Sequence, residues 1–285
     1  VDTRNNVVVR LRPRANVEVN QYFMCDHGRH HYRWLNRGNR IEAPVLRLGN
    51  DQKAVDWDHA LERAAEILEG AGGNAVALVS PSASTEAMFL ARQVLATFDT
   101  KLMFRVASVE GEAPLTGVPN LALREERASN ATGARALGYV EGDVNAALRG
   151  ASVALIVDDD LDGVDSEVLA AVGHVIYVGT ALPKATRNAA VILPSTNVVE
   201  EDGTFVNRDG RVQRYRQAKS APGMARPAWW ILSEILREGG QGDGADTAAS
   251  AFAMLAETEE VFEGLSYDAL GFRGCELANG VRVPS

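Results

Sequence analysis

Cysteine is nearly missing from this sequence: Cys25 and Cys275 are the only two among 285 residues. Two thiols at opposite ends of so long a chain make no disulfide framework, and a reducing compartment is expected. No apolar run approaches the roughly eighteen residues that a spanning helix needs. Arginine and polar side chains interrupt the first thirty residues, where a secretory leader would have an apolar core. Direct membrane insertion is therefore not expected. Basic charge is in deficit, with 29 Lys+Arg against 38 Asp+Glu and a net charge of −9, so the surface repels phosphate backbones and nucleic acid is not expected as a partner. At 46% hydrophobic and 24% charged, the chain is neither a disordered nor a fibrous polymer.

The acidic total hides a split. Residues 1–50 hold nine arginines and four acids, a net of +5, which leaves −14 over the remainder. A boundary is expected near Pro44, between a small basic module and an acidic body. Val7–Arg12 is β-branched and stopped by Pro13, which suggests a strand of a small β-rich module. The stretch from Cys25 to Asn36 has no periodicity and reads as irregular.

From Val55 the pattern changes. Apolar residues at three- and four-residue steps from Ala60 to Leu68 predict a helix capped by Asp56 or Asp58 and stopped at Gly70–Gly73. Ala75–Val79 follows as a short, fully apolar run, and a second helix is expected from Ser84 to Phe98. The alternation recurs as helix Val144–Leu148, strand Val153–Val157, helix Ser166–Val172 and strands Val175–Val178 and Ala190–Pro194. Strands apolar end to end are buried on both faces, so the expected fold is α/β, a parallel Rossmann-like sheet with helices on both sides. Trp229–Arg237 reads as one more helix begun near Pro227. Beyond Gly239 a Gly/Asp/Ala-rich linker, a helical Ala249–Gly264 stretch and a weakly patterned tail are expected.

Few residues suggest catalysis. The turn after Val79, Ser80-Pro81-Ser82-Ala83-Ser84, has no glycine and matches no nucleotide fingerprint. Asp158-Asp159-Asp160-Leu161-Asp162 has carboxylates for a divalent ion, but the spacing fits no EF-hand and an exposed acidic turn is the expected reading. His27, His30 and His31 lie near Cys25, yet no second cysteine pair completes a zinc site. His59 and His174 are expected to be solvated or structural. Ser195 has no histidine beside it in sequence and no G-x-S-x-G occurs, so a hydrolase is not expected.

Two segments stand out: Val19–Arg29 with Cys25, and Glu201–Gln213, a Gly-bounded hairpin in which Asp202-Gly203 and Asp209-Gly210 are expected as tight turns around Thr204–Asn207. Together with Asn130-Ala131-Thr132-Gly133 and Pro222–Trp229, in this order, they resemble the molybdopterin-oxidoreductase superfamily. Within it they are most similar to the large iron–sulfur subunits of respiratory NADH–quinone oxidoreductase, complex I. Asp209 stands where that signature has Glu, and Ala190–Pro194 has Ala for Asp in the preceding A-D-x-x-L-P.

The resemblance implies that Cys25 is the last of four cysteines holding a [4Fe–4S] cluster, with the other three upstream of Val1, so that the chain reads as a fragment whose natural beginning has been removed. As given, the chain is expected to be iron-free and non-catalytic. Arg12, Arg14 and Arg29 would neighbour the cluster, the Gly28 N–H would donate to the Cys25 sulfur, and Tyr22, Phe23 and Tyr32 would exclude water or pack between modules. Cys275 is expected to be an incidental thiol. The interval from Cys25 to Glu201 is too short for the cofactor loops of the molybdenum enzymes, and no molybdopterin is expected. The implied organisation is a remnant of the cluster module at 1–44, the α/β domain at 45–238, and a linker with C-terminal tail at 239–285. The implied role is a scaffold among the peripheral-arm subunits of complex I, on the cytoplasmic face of the plasma membrane. The alternatives are a fragment of a formate dehydrogenase-like molybdenum enzyme and a redox-inactive interaction module.

Overall fold

A computed structural model of the chain describes residues 1–49, 51–106, 111, 113–114, 122–123 and 125–278. It opens with an antiparallel hairpin, β1 (Asp2–Arg4) and β2 (Val7–Arg10). Asn5 and Asn6 turn it in the left-handed region, which asparagine tolerates. Val8 packs inward with Leu35 and Val199. Both its main-chain groups go to one side chain: its N–H donates to Asn36 Oδ1 at 2.9 Å, and Asn36 Nδ2 donates to its carbonyl at 2.8 Å. The stretch expected to be irregular contains a short helix, α1 (Asp26–His30), and a 3-10 turn at Arg33–Asn36.

β3 (Val45–Leu48) and β4 (Asp51–Ala54) form a second hairpin. Helix α2 (Trp57–Gly70) follows, capped by Asp56, whose carboxylate accepts the His59 N–H. Next come β5 (Asn74–Val79), α3 (Thr85–Val94), β6 (Asp99–Phe104), the short pair β7 (Ala113–Pro114) and β8 (Ala122–Leu123), and α4 (Ala131–Ala136). After them run β9 (Val140–Glu141), α5 (Val144–Leu148), β10 (Val153–Val157), α6 (Ser166–Ala170), β11 (His174–Gly179) and β12 (Val191–Pro194).

Eight of these strands make one sheet in the order β4-β3-β12-β11-β10-β5-β6-β9. The six from β12 to β9 are parallel, and the β3–β4 hairpin adds an antiparallel edge beside β12. Numbered along the chain, the parallel strands stand in the order 3-2-1-4-5-6, so the path reverses between β5 and β10. As expected, the central strands are buried on both faces. Ala75, Ala77, Leu155 and Ile176 face α2, α3 and α4, while Val76, Leu78, Ile156 and Tyr177 face α5 and α6. That alternation is the two-residue period of a strand between two apolar layers.

The rest of the chain covers one end of this sandwich. β13 (Gly203–Val206) and β14 (Arg211–Tyr215) form the hairpin read from the sequence, but Gly203 lies in the strand and not in a turn. Helix α7 (Ala228–Glu238) starts after Pro227 and packs on α2 and α3. The segment after Gly239 is no loose tail in the structure. Helix α8 (Ala248–Thr258) lies on α3, α9 (Tyr267–Leu270) lies under the hairpin, and β15 (Cys275–Glu276) adds a third strand beside β14. The cause is a buried aromatic group: Phe252 stacks edge-on with Phe262 at 6.2 Å and meets Tyr267 at 5.5 Å. Residues 279–285 of the expected tail lie outside the described residues. Among the described residues no helix is long and apolar enough to cross a membrane.

Candidate functional site

In an open parallel sheet, ligands sit outside the carboxyl ends of the strands where the order reverses, which here is the crevice between β5 and β10. On the β5 side the crevice leads to the start of α3. An uncovered helix N-terminus there would offer free N–H groups to an anion. This one is already used: Ser84 Oγ accepts the Ala87 N–H at 3.2 Å, and Glu86, at the second helical position, is 0% exposed. Its Oε2 accepts the Thr204 N–H at 2.9 Å and its Oε1 accepts the Tyr267 O–H at 2.7 Å. Burial lifts the Glu86 carboxyl to about 7, against the pull of the Tyr267 and Thr204 hydrogen bonds. The positive end of the helix therefore faces a carboxyl group of its own chain, under a lid made by β13.

The sequence motifs converge on this lid. Asn130 Nδ2 donates to Ala83 O at 2.9 Å and Thr85 Oγ1 at 3.2 Å, while its Oδ1 accepts the Val206 N–H at 2.7 Å. A Cβ on Gly133 would lie 2.2 Å from Asn130 Oδ1, so only glycine leaves room for that side chain. Thr85 Oγ1 donates to Thr204 O at 3.0 Å. Gly203 is needed for the same kind of reason, because a Cβ there would meet the Tyr215 hydroxyl at 2.4 Å. Asn207 Oδ1 accepts the N–H groups of Asp209 and Arg211, which closes the hairpin turn. Glu201 is buried and accepts the hydroxyls of Thr196 and Tyr215, both at 2.7 Å. Burial raises it to about 8, and the Glu86 charge adds to the effect.

On the β10 side the expectation of an exposed acidic turn holds for Asp160 and Asp162, while Asp158 and Asp159 depart from it. Arg105, just past β6, spans the gap: it donates to Asp159 at 2.5 and 3.1 Å, to Asp160 at 3.0 Å, and to the Asp162 carbonyl. Asp159 is 5% exposed. Asp158 sits at φ 55° and accepts the Thr180 N–H at 3.0 Å, with burial raising its carboxyl above the ordinary range. A guanidinium thus holds two of the turn's four carboxylates, those of Asp159 and Asp160. A pyrophosphate placed here would meet those acids on one side and a sealed helix end on the other. The residues do not fit a dinucleotide-type cofactor at this crevice.

Cys25 lies elsewhere, at the N-cap of α1, where its Sγ accepts the Gly28 N–H at 3.4 Å. Arg29 reaches Met24 O and Asp26, Arg12 pairs with Asp2, and Arg14 donates to Arg214 O, so their recorded partners are not the sulfur. Tyr22 is 75% exposed and does not shield it, while Tyr32 packs near Val8 and Leu35. Cys275 donates to Ala269 O at 3.3 Å. Among the described residues no group of three or more His, Cys, Asp or Glu side chains stands close enough to hold a metal ion. They include two cysteines, Cys25 and Cys275, where a [4Fe–4S] cluster takes four thiolates.

The N-terminal part is fixed to the body by a buried ion pair. Arg40 donates to both oxygens of Glu200 at 2.8 Å, and Lys219 adds a contact at 3.3 Å. Sequence reasoning singled out neither this pair nor Glu86, Arg105 or Tyr267, because an acid in a first helical turn or an arginine after a strand looks the same exposed or buried.

Residues 127–238 match the family model described as Molybdopterin oxidoreductase. This part of the chain is similar to a molybdopterin oxidoreductase domain. Asn130, Gly133, Glu201, Gly203, Thr204 and Asn207 all fall inside the match, and they are the residues that tie the lid to the sheet. The chain is 41% identical over 86 residues to the G subunit of the NADH-quinone oxidoreductase of Shewanella oneidensis, covering 30% of this chain and 9% of that protein. The same subunit from Escherichia coli is 36% identical over 86 residues, covering 30% and 9%. The alpha subunit of an F420-dependent formate dehydrogenase of Methanococcus maripaludis is 31% identical over 124 residues, covering 43% and 18%. The aligned part of this chain thus spans less than a fifth of each of these relatives.

Proposed function

We propose that this chain is part of the large iron–sulfur subunit of a respiratory NADH–quinone oxidoreductase, and that its molybdopterin oxidoreductase domain works as a scaffold without a molybdenum cofactor. The observation that carries the reading is the filled crevice: Glu86 occupies the α3 N-terminus, β13 covers it, and Arg105 bridges to the acidic turn. In this role the chain's residues hold shape. The Asn130 and Glu201 networks lock the hairpin, and the Arg40–Glu200 pair fixes the Cys25-bearing part against the sheet. Cys25 would be one ligand of a [4Fe–4S] cluster completed by thiolates outside the described residues, and such a cluster passes single electrons when bound. The Gly28 N–H, already aimed at the sulfur, would stabilise its thiolate. The partners are other peripheral-arm subunits, and the place is the cytoplasmic face of the plasma membrane, reached through the complex.

A second reading, a formate dehydrogenase-like molybdenum enzyme, is favoured by alignment length, 124 residues against 86. The higher identity to the NADH-quinone oxidoreductase relative, 41% against 31%, supports the first.

The test is metal analysis of the full natural protein, made in a host that assembles the molybdenum cofactor, beside a Cys25→Ala variant. The expected result is no molybdenum, co-purification with NADH–quinone oxidoreductase, and loss of one low-temperature EPR signal with about four irons in the variant. Stoichiometric molybdenum would establish the second reading. Iron unchanged in the variant would remove Cys25 from the cluster and leave a scaffold alone.

A further inference from the structure

The three side chains Phe272, Tyr22 and Val17 are 72%, 75% and 56% exposed, and two hydrogen-bonded loops carry all of them. Asn16 Nδ2 donates to Arg273 O at 2.9 Å, which ties the loop before α1 to the turn after α9. Asn16 and Gln21 exchange main-chain hydrogen bonds at 2.7 and 2.9 Å. Val17 and Tyr22 therefore flank one side of that tie, and Phe272 the other. The turn is rigid where it meets the body: Gly274 has φ 75°, and a Cβ there would stand 2.2 Å from Val212 O. Phe272 is held out at its tip.

Around this apolar group basic charge is in excess. Arg216 lies over the Phe272 ring at 5.8 Å, Arg14 donates to the Arg214 carbonyl, and the exposed Arg273 makes no ion pair among the described residues. The nearby acids, Glu18 and Glu276, both turn to Arg211, at 3.9 and 3.2 Å. Aromatic rings with arginines beside them are the side chains that carry most of the energy in protein interfaces.

We infer that this face docks an acidic protein surface bearing an apolar ridge. Charge complementarity selects that occupant: a duplex or an anionic bilayer would have to lie against a body whose net charge beyond residue 50 is −14, whereas a protein surface can match a small basic patch alone. The inference rests on the reading above in that the partner is taken to be a subunit of the same complex.

The experiment places the photo-crosslinking residue p-benzoylphenylalanine at position 272 of the full protein in its native cells, irradiates, and identifies adducts by mass spectrometry. The expected result is an adduct to an acid-rich surface of another subunit. Its yield should fall about tenfold in the Arg216→Glu/Arg273→Glu double variant, whose thermal midpoint stays unchanged because both side chains are exposed. No adduct, an adduct insensitive to charge reversal, or an adduct to nucleic acid, lipid or a second copy of the chain overturns the docking face. Co-purification with NADH–quinone oxidoreductase is scored separately. Co-purification without an adduct refutes the face and keeps the functional reading, and a charge-dependent acidic adduct outside that complex does the reverse.

Discussion

Glu86 makes the stability of this fold depend on pH in an unusual direction. Its carboxyl is fully buried and stands at about 7, against 4.5 for the same group in water. Between those values the folded chain holds a proton that the unfolded chain has released, so stability falls as pH rises through this window. Ionising the buried group costs folding about 3 kcal/mol, spread from roughly pH 4 to 8. The Glu86→Gln variant removes the titration and keeps the shape: its oxygen can accept the Thr204 N–H and its amide can donate to the Tyr267 oxygen. The assay is urea unfolding followed by the fluorescence of the core residues Trp57 and Trp229, at constant ionic strength and several pH values. Glu201, which titrates near 8, slopes the same way in both proteins and largely cancels in the comparison. It falls somewhat in the variant because the Glu86 charge helps to raise it. Relative to wild type, Glu86→Gln should gain about 3 kcal/mol as pH goes from 4 to 8. Parallel curves over this range would refute the placement of a neutral Glu86 in the core.

Other substitutions test the remaining ties. Gly133→Ala should displace Asn130 and cost about 2–4 kcal/mol in urea unfolding, because three buried hydrogen bonds go with it. Removing Arg40 by an alanine substitution leaves the buried Glu200 with Lys219 as its one cationic partner among the described residues, beside the Asn197 hydrogen bonds, and should cost about 3–5 kcal/mol. Tyr267→Phe loses one hydrogen bond to Glu86, worth about 1–2 kcal/mol, and should speed proteolysis within the C-terminal segment with the hairpin left paired. A melting temperature equal to wild type in any of the three would contradict the contact concerned.

Much of the sheet was legible because its central strands are apolar on both faces, a pattern that only a two-layer cover explains. β6 was not, since Asp99 and Lys101 at its exposed start break the run before Met103 and Phe104 become buried. In the C-terminal segment the helix was legible but its docking was not, because Phe252, Phe262 and Tyr267 find one another only in three dimensions. The motifs around Asn130 and Glu201 were visible as patterns. Their joint role was not, because Asn130 meets Val206 across 76 positions of chain. Gly203 was misread as a turn residue, since a glycine required by a neighbouring hydroxyl looks no different in sequence from one required by a backbone angle.

The side-chain amide of Asn36 bears on how this protein behaves when crowded. β2 exposes Val7 and Val9, and a strand of that composition with a free edge invites other chains to add to it. By occupying both hydrogen-bonding groups of Val8, Asn36 removes the middle rung on which such a ladder would start. Association along the β2 edge is then left to side chains, which keeps it selective and reversible, rather than to open-ended growth of backbone ribbon.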